Sequence, residues 1–269
     1  MLSNEAATVL ARLGFAARGL VYLIIGWFAV DAAMRGGAAA DNQGAIATLA
    51  HQPFGQILLF IVAAGLAGYA VWRLTEAAAN PEQIAHDAHG NLKRIGSAVS
   101  GIAHVTLAWT AVKLASHSGS ASGARSPGDD NARDWTAWLL SQPFGRLLVA
   151  AVAIGLFAAA FQQGKKAWTA SFTAELKGDT PVPAYVTLMG RIGYGARAIV
   201  FTIIGGFFTA AAWQARASEA GGMADALAKL QGQPGGKWLL MAMGIGLALF
   251  GIFSLIESRF RRIDVRLPR

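Results

Sequence analysis

The chain has 269 residues, of which 54% are hydrophobic and only 14% are charged. Soluble domains carry about 25% charged residues, so this composition is typical of a protein embedded in a bilayer, where each charge is costly. The sequence contains no cysteine, which excludes disulfides, thiolate metal sites and thiol nucleophiles. The formal charge of +8 fits the Lys and Arg excess of cytoplasmic membrane-protein loops better than a nucleic-acid surface.

Apolar runs recur along the whole chain and predict membrane helices. A spanning helix needs about 20 predominantly apolar residues. Six runs come close to this length, and they reach it with their small and polar flanks. They cover residues 13–30, 54–72, 95–112, 144–161, 192–213 and 238–256. Three shorter stretches carry a weak apolar face and are predicted as interfacial helices, at residues 44–51, 132–141 and 223–231.

Two short motifs repeat in step with these runs. An Arg-x-Gly triplet opens the first, third and fifth runs, and a Gln-Pro dipeptide precedes the second, fourth and sixth. The opening arginines are Arg12, Arg94 and Arg191, and the prolines are Pro53, Pro143 and Pro234. Glycine follows each proline by twelve residues, and a small residue follows each arginine by fourteen. This register predicts three copies of a two-helix unit: repeat 1 (1–79), repeat 2 (80–168) and repeat 3 (169–269).

The Gln-Pro dipeptide has a local physical reason. Proline suits the first turn of a helix, where its missing N–H would be unpaired anyway, and it pushes the preceding residue out of helical geometry. We therefore expect each short helix to end at the glutamine and each following membrane helix to start at the proline.

The repeat also predicts the topology. Two helices per unit is an even number, so all three copies insert with the same orientation. The expected fold is all-α, with six membrane helices as three parallel helical hairpins about a pseudo-threefold axis and the short helices on the outer side. Of the 23 Lys and Arg residues, 15 fall on the side of the termini, which predicts that both termini are cytoplasmic.

The C-terminal tail is rich in arginine. Five arginines fall in the last eleven residues, at Arg259, Arg261, Arg262, Arg266 and Arg269. They are candidates for contact with anionic lipid headgroups, and the alternative is that they act only as an orientation signal.

Charged residues also stand inside the predicted helices. Arg18 and Arg197 lie six residues beyond their opening arginines, where repeat 2 has Ser100. Twenty-three residues after the prolines stand Glu76, Lys166 and Glu257, so repeat 2 lacks both the arginine and the acid. Because a charge within a membrane needs a partner or a route to water, we predict ion pairs within repeats, Arg18–Glu76 and Arg197–Glu257. Such pairs would either lock each hairpin or line a polar pathway.

His104 is the one histidine deep in a predicted span. Its equivalents are Tyr22 and Phe201, and three ring residues at one position favour a packing role over a proton relay. No phosphate-binding loop, zinc-protease motif or nucleophile elbow is present in the sequence. We therefore predict no catalytic, cofactor-binding or metal-binding residues.

The repeat resembles a known family. The pattern at 49–55, Leu-Ala-His-Gln-Pro-Phe-Gly, with 65–73, Gly-Leu-Ala-Gly-Tyr-Ala-Val-Trp-Arg, is similar to bacterial membrane proteins of the DUF1206 family, as is the opening at 11–19. The resemblance covers nearly the whole chain. Repeat 2 departs from it at Ser100 and Lys166, and repeat 3 lacks the phenylalanine after Pro234. The resemblance implies a location in the bacterial cytoplasmic membrane and implies no activity.

Two functions follow as expectations. The first is a non-enzymatic membrane protein with a structural or partner-binding role, since the charges can be paired locally. The second is a conduit or carrier for a small solute or ion that uses polar residues between the three hairpins. A lipid-modifying enzyme is disfavoured because no polar catalytic cluster is visible. The expected partner is the lipid bilayer rather than nucleic acid, and a homo-oligomer is left open.

Overall fold

The computed structural model of the protein describes residues 4–36, 55–79, 88–116, 127–176 and 182–261. In these residues the fold is all-helical, with an isolated antiparallel bridge between Leu176 and Arg261. The α-helices are α1 (Asn4–Arg35), α2 (Gly55–Ala79), α3 (Ala88–Ser116), α4 (Pro127–Leu140), α5 (Gly145–Thr169), α6 (Ala184–Gln214), α7 (Met223–Gln231) and α8 (Gly236–Phe260). Two 3-10 helices lie between them, at Ser171–Glu175 and Ala217–Glu219.

Six of these helices are long and apolar enough to cross a membrane: α1, α2, α3, α5, α6 and α8. Each coincides with one of the predicted apolar runs, so the expectation of six membrane helices is confirmed. The short helices α4 and α7 confirm the second and third predicted short helices. The first, at 44–51, lies outside the described residues.

The Gln-Pro turns differ in detail from the prediction. Two of the three Gln-Pro dipeptides fall in the described residues. Their prolines, Pro143 and Pro234, lie in the turn, and the membrane helix begins two residues later at glycine. The residue between them adopts a left-handed conformation, with φ of 60° at Phe144 and 74° at Gly235. The helix starts after this residue because a left-handed conformation cannot be part of a right-handed helix. A Cβ on the first helical glycine, Gly145, would lie 2.5 Å from the carbonyl oxygen of Leu139, which explains the glycine.

The membrane helices pack in an order that differs from their order in the sequence. The succession of neighbours is α3, α2, α1, α8, α6, α5. The most extensive contacts are α1 with α8, α2 with α3, and α5 with α6, and each of these joins two different repeats. Contacts within repeats 1 and 3 are smaller, and α3 has almost no contact with α5 in the described residues of repeat 2.

Glycines allow the closest approach, between α1 and α8. A Cβ on Gly19 would lie 2.8 Å from the carbonyl oxygen of Gly251, and one on Gly26 would lie 2.6 Å from that of Gly244. Gly19 and Gly26 are seven residues apart on α1, as Gly244 and Gly251 are on α8, so the two glycines of each helix lie on one face. The earlier glycine of α1 contacts the later glycine of α8, so the two helices run antiparallel. Small residues at such crossings let transmembrane helices associate through backbone contact. This surface places the first helix of repeat 1 against the last helix of repeat 3.

Candidate functional site: a charged and aromatic cluster between the repeats

Arg18 of α1 lies at the centre of a polar cluster formed with α2 and α8. Its guanidinium donates to Glu257 Oε2 at 2.5 Å, to the Ser254 hydroxyl at 3.2 Å and to the Tyr69 hydroxyl at 3.4 Å. Its Cζ atom also lies 4.8 Å from the ring centroid of Phe15 and 5.1 Å from that of Phe250. Arg18 is therefore fully engaged by hydrogen bonds and aromatic rings.

Glu257 extends this contact into a chain of alternating charges. Its side chain is only 1% exposed, and it also accepts a hydrogen bond from Arg261 at 2.8 Å. Arg261 in turn pairs with Glu175 at 2.6 Å, and Glu175 pairs with Lys166 at 3.2 Å. Although burial alone would lower the pKa of Arg261, Glu257 and Glu175 outweigh it and raise that pKa, so Arg261 stays charged. The chain of charges joins all three repeats.

The predicted ion pair between Arg18 and Glu76 is wrong in its partners. Glu76, which is buried, accepts a hydrogen bond from Arg73 at 2.5 Å and one from Ser97 of α3 at 3.3 Å. The reason lies in the order of the helices. The second helix of a repeat packs against the first helix of the following repeat. Glu76 of α2 therefore contacts α3 of repeat 2, and Glu257 of α8 contacts α1 of repeat 1.

The predicted Arg197–Glu257 pair is also wrong. Arg197 of α6 instead lies against aromatic rings, with its Cζ atom 4.4 Å from the ring centroid of Phe250, 5.2 Å from Phe201 and 5.3 Å from Tyr22. Its Nε atom is buried without a hydrogen-bond partner among the described residues. Glu257 is engaged by Arg18 and Arg261, and Arg197 has no carboxylate partner among the described residues.

His104 packs beside this cluster. Its Nδ1–H donates to the carbonyl oxygen of Ser100 at 2.7 Å, and its ring lies 4.6 Å from the ring of Tyr69. The equivalent ring of repeat 1, Tyr22, makes the same kind of contact with Phe250, at 4.9 Å. These contacts agree with the packing role that the three equivalent ring residues predict.

The repeat-opening arginines have different surroundings. Arg94 donates to the carbonyl oxygens of Ala77 at 2.9 Å and Ala78 at 3.2 Å, which satisfies the end of α2. Arg12 has a buried Nε with no hydrogen-bond partner in the described part of the chain, and Arg191 is exposed. Their shared position in the repeat thus does not give them a shared contact.

Of the tail arginines, Arg259 and Arg261 are described. Arg259 is exposed, whereas Arg261 is engaged by carboxylates. Arg262, Arg266 and Arg269 lie outside the described residues. The idea that the tail contacts lipid therefore stays a prediction for Arg259 and these three, and Arg261 has a structural contact instead.

A second polar contact, which the sequence reasoning missed, joins α4 to α7. Buried Asp129 accepts a hydrogen bond from the backbone N–H of Asp225 at 3.1 Å, and Arg133 forms an ion pair with the Asp225 carboxylate. A Cβ on Gly222 would lie 2.4 Å from Asp129 Oδ1, so a side chain there would displace the Asp129 carboxylate. The acidic first turn of α4 and the Gly-Gly pair before α7 were the available signals.

Taken with the six apolar helices, these contacts define a multi-pass helical membrane protein whose intramembrane charges connect neighbouring repeats. The chain belongs to the family described as Domain of Unknown Function (DUF1206), whose family model matches residues 13–80, 95–170 and 192–261. The resemblance noted in the sequence is thereby confirmed.

A relative comes from a bacterium. The chain is 32% identical over 255 residues to the uncharacterized protein YxxB of Bacillus subtilis (strain 168), and the match covers 94% of this chain and 90% of that protein. No solved structure matches the chain. The family and this relative establish kinship and carry no activity with them.

Proposed function

We propose that this protein is a non-enzymatic protein of the bacterial cytoplasmic membrane with a structural or partner-binding role. The observation that carries the proposal is the Arg18–Glu257 contact, extended through Arg261 and Glu175 to Lys166. Three cations and two carboxylates alternate in this chain, so each carboxylate is paired with two cations across the repeats. A group engaged in this way stabilises the assembly and is not free to act on a substrate.

A pseudo-threefold arrangement is part of this proposal. Its support is one contact that recurs between successive repeats, with repeat 3 preceding repeat 1. One member lies seven residues after an opening arginine, and the other lies 21 residues after the proline of the repeat before it. A Cβ on Gly19 would lie 2.9 Å from the Leu255 side chain, and one on Gly101 would lie 2.7 Å from Leu74. A Cβ on Gly164 would lie 3.9 Å from that of Ala198. The three repeats thus follow one another in a ring that is open within repeat 2.

The orientation of this ring follows from charge. The Lys and Arg excess lies on the side of the termini, and loops rich in these residues stay in the cytoplasm. The network around Glu257 lies near the end of α8, and so on the cytoplasmic side. The arginines of the tail that are not held by carboxylates would then lie beside anionic headgroups.

A conduit is the second candidate, and two observations favour it. Arg197 has no carboxylate partner among the described residues, and α3 stands apart from α5. A pathway for an anion would need both an uncompensated cation and an opening between helices.

Reconstitution of the purified chain in vesicles tests the two candidates against each other. We expect no flux of small anions or cations above that of protein-free vesicles. Flux that is present in the wild type and lost in Arg197→Gln, with helix content unchanged by circular dichroism, would contradict the structural role and establish the conduit. Glu257→Gln serves as the second variant, since it removes the ion pair without touching Arg197.

A further inference from the structure

Arg18 and Arg197 are equivalent residues with very different neighbours. Both lie six residues beyond an opening arginine, and so at the same depth in the membrane. The Arg18 guanidinium has three oxygen acceptors, from Glu257, Ser254 and Tyr69. The Arg197 guanidinium lies against three aromatic rings and has no hydrogen bond or ion pair among the described residues.

The repeat register explains this difference position by position. The place that Glu257 holds for Arg18 is held for Arg197 by Lys166, whose ammonium is engaged by Glu175 at 3.2 Å. The place of Ser254 is taken by Gln163, which makes no bond to the guanidinium. The place of Tyr69 is taken by Phe250, which has no hydroxyl. All three acceptors are replaced together.

This leaves a cation within a membrane span that lacks a counter-charge from the described protein. An arginine at such a depth requires an anion, or water, at its donors. Three ring centroids lie within 5.3 Å of the Arg197 Cζ atom, but a ring face attracts a cation without accepting the directed hydrogen bonds of a guanidinium. Its Nε–H is buried and has no acceptor in the part of the chain that the structure describes.

We propose that Arg197 binds an oxyanion, a phosphate or a carboxylate, between the membrane-spanning helices of this protein near their cytoplasmic ends. A guanidinium matches either group with two parallel hydrogen bonds, and these are strong where water is scarce. The oxyanion would do for Arg197 what Glu257 does for Arg18. Gln163 stands at the acceptor position equivalent to Ser254, where its amide offers a donor, whereas the ammonium of Lys166 is held by Glu175.

The open repeat gives this site a route from the bilayer. Gly96 of α3 and Gly155 of α5 stand at the positions where glycines of repeats 1 and 3 contact the other helix of their hairpin, yet a Cβ on either would meet nothing within 4 Å. Val99 and Val152 on the same two helices are exposed. The oxyanion has two sources: the headgroup of an anionic lipid that enters between these helices, or a free anion from solution.

The test uses the full chain in phosphatidylcholine vesicles, in two arms. One arm adds phosphatidylglycerol and measures bound lipid by native mass spectrometry. The other adds inorganic phosphate alone and measures the thermal unfolding midpoint. We expect the wild type to bind in one arm with about tenfold higher affinity than Arg197→Gln, the loss that corresponds to one charge-assisted contact. Binding in the first arm identifies a lipid, and binding in the second identifies a free anion.

Two further variants separate this site from general charge effects. Arg191→Gln removes an exposed guanidinium from the same helix and should bind like the wild type. Lys166→Glu places a carboxylate at the register of Glu257, so it should abolish binding while Arg197 remains. The proposal is overturned if Arg197→Gln binds as well as Arg191→Gln in both arms. That outcome would not affect the proposed structural role, because that role is tested by solute flux and not by binding at Arg197.

Discussion

The hairpins of repeats 2 and 3 share their glycines and differ in their contacts. In repeat 3 a Cβ on Gly193 would lie 2.7 Å from the Cα atom of Phe250, and one on Gly246 would lie 2.6 Å from the Cβ atom of Ala196. The equivalent glycines of repeat 2, Gly96 and Gly155, meet nothing within 4 Å. The hairpin of repeat 1 is closed like that of repeat 3, since a Cβ on its Gly14 would lie 2.2 Å from the Tyr69 side chain.

The difference teaches that small residues permit close approach and do not by themselves produce it. In repeats 1 and 3 an aromatic residue, Tyr69 or Phe250, packs against the glycine, whereas repeat 2 has Ala159 at that place. Repeat 2 also has Val99 where the others have a buried alanine. Dispersion energy grows with the number of atoms in contact, so a glycine notch without a ring to fill it gains little.

The largest effect is expected at the contact that closes repeat 3 onto repeat 1. Glu257→Gln would leave Arg18 and Arg261 side by side without their shared carboxylate, and breaking a buried pair costs about 3–5 kcal/mol. Unfolding of the purified chain in mixed micelles, followed by circular dichroism, measures this loss.

The equivalent position of repeat 2 is the control. Lys166 and Glu175 are about one-third exposed, so Lys166→Gln should cost less than about 1 kcal/mol. Equal losses in the two variants would show that the exposed and the buried pair contribute alike, contrary to the comparison.

A smaller effect is expected from adding side chains to the glycine notches. Gly193→Val would drive methyl groups into the backbone of Phe250, and such overpacking costs about 1–3 kcal/mol. Gly96→Val enters open space, so its unfolding free energy should stay within about 0.5 kcal/mol of the wild type. The same unfolding assay applies, and an equal loss at Gly96 would mean that the middle hairpin is closed in the bilayer.

The smallest effect concerns the opening arginines. Arg94→Gln removes two hydrogen bonds to the carbonyl oxygens that end α2, and we expect a loss of about 1 kcal/mol because the site is partly exposed. Arg191→Gln alters an exposed residue and should be neutral. A lowered melting temperature for Arg94→Gln alone supports the contact, and identical values for the two variants argue against it.

Much of the fold could be predicted from the sequence, because a membrane span is set by local length and composition. The six long helices and the short helices α4 and α7 all followed from periodicity and register. The partner of Arg18 did not follow. Glu76 and Glu257 stand at the same depth, and the choice between them depends on which helices are neighbours, which is a property of the whole assembly.

The polar contacts made by loops and helix ends were equally out of reach. Glu175 belongs to a 3-10 helix between α5 and α6, and its contact with Arg261 accompanies the bridge between Leu176 and Arg261 at the end of α8. Nothing in local spacing relates two residues so far apart in the sequence. Asp129 and Asp225 were missed for the same reason.

The central claim is that α5 of repeat 2 is held by the next repeat and not by its own hairpin partner. Pairs of cysteines test it directly, because the chain contains no cysteine of its own. The pair Gly164→Cys with Ala198→Cys joins α5 to α6, where the Cβ atoms are 3.9 Å apart and within disulfide range. The pair Val99→Cys with Gly155→Cys joins α3 to α5.

Oxidation in native membranes should crosslink the first pair and leave the second pair reduced. The chain is then cleaved by a protease between the two helices of the pair. The fraction that still migrates as a whole chain without reductant gives the disulfide yield. A second pair that crosslinks as completely as the first would contradict the account, since it would place α3 against α5 as in the hairpins of the other two repeats.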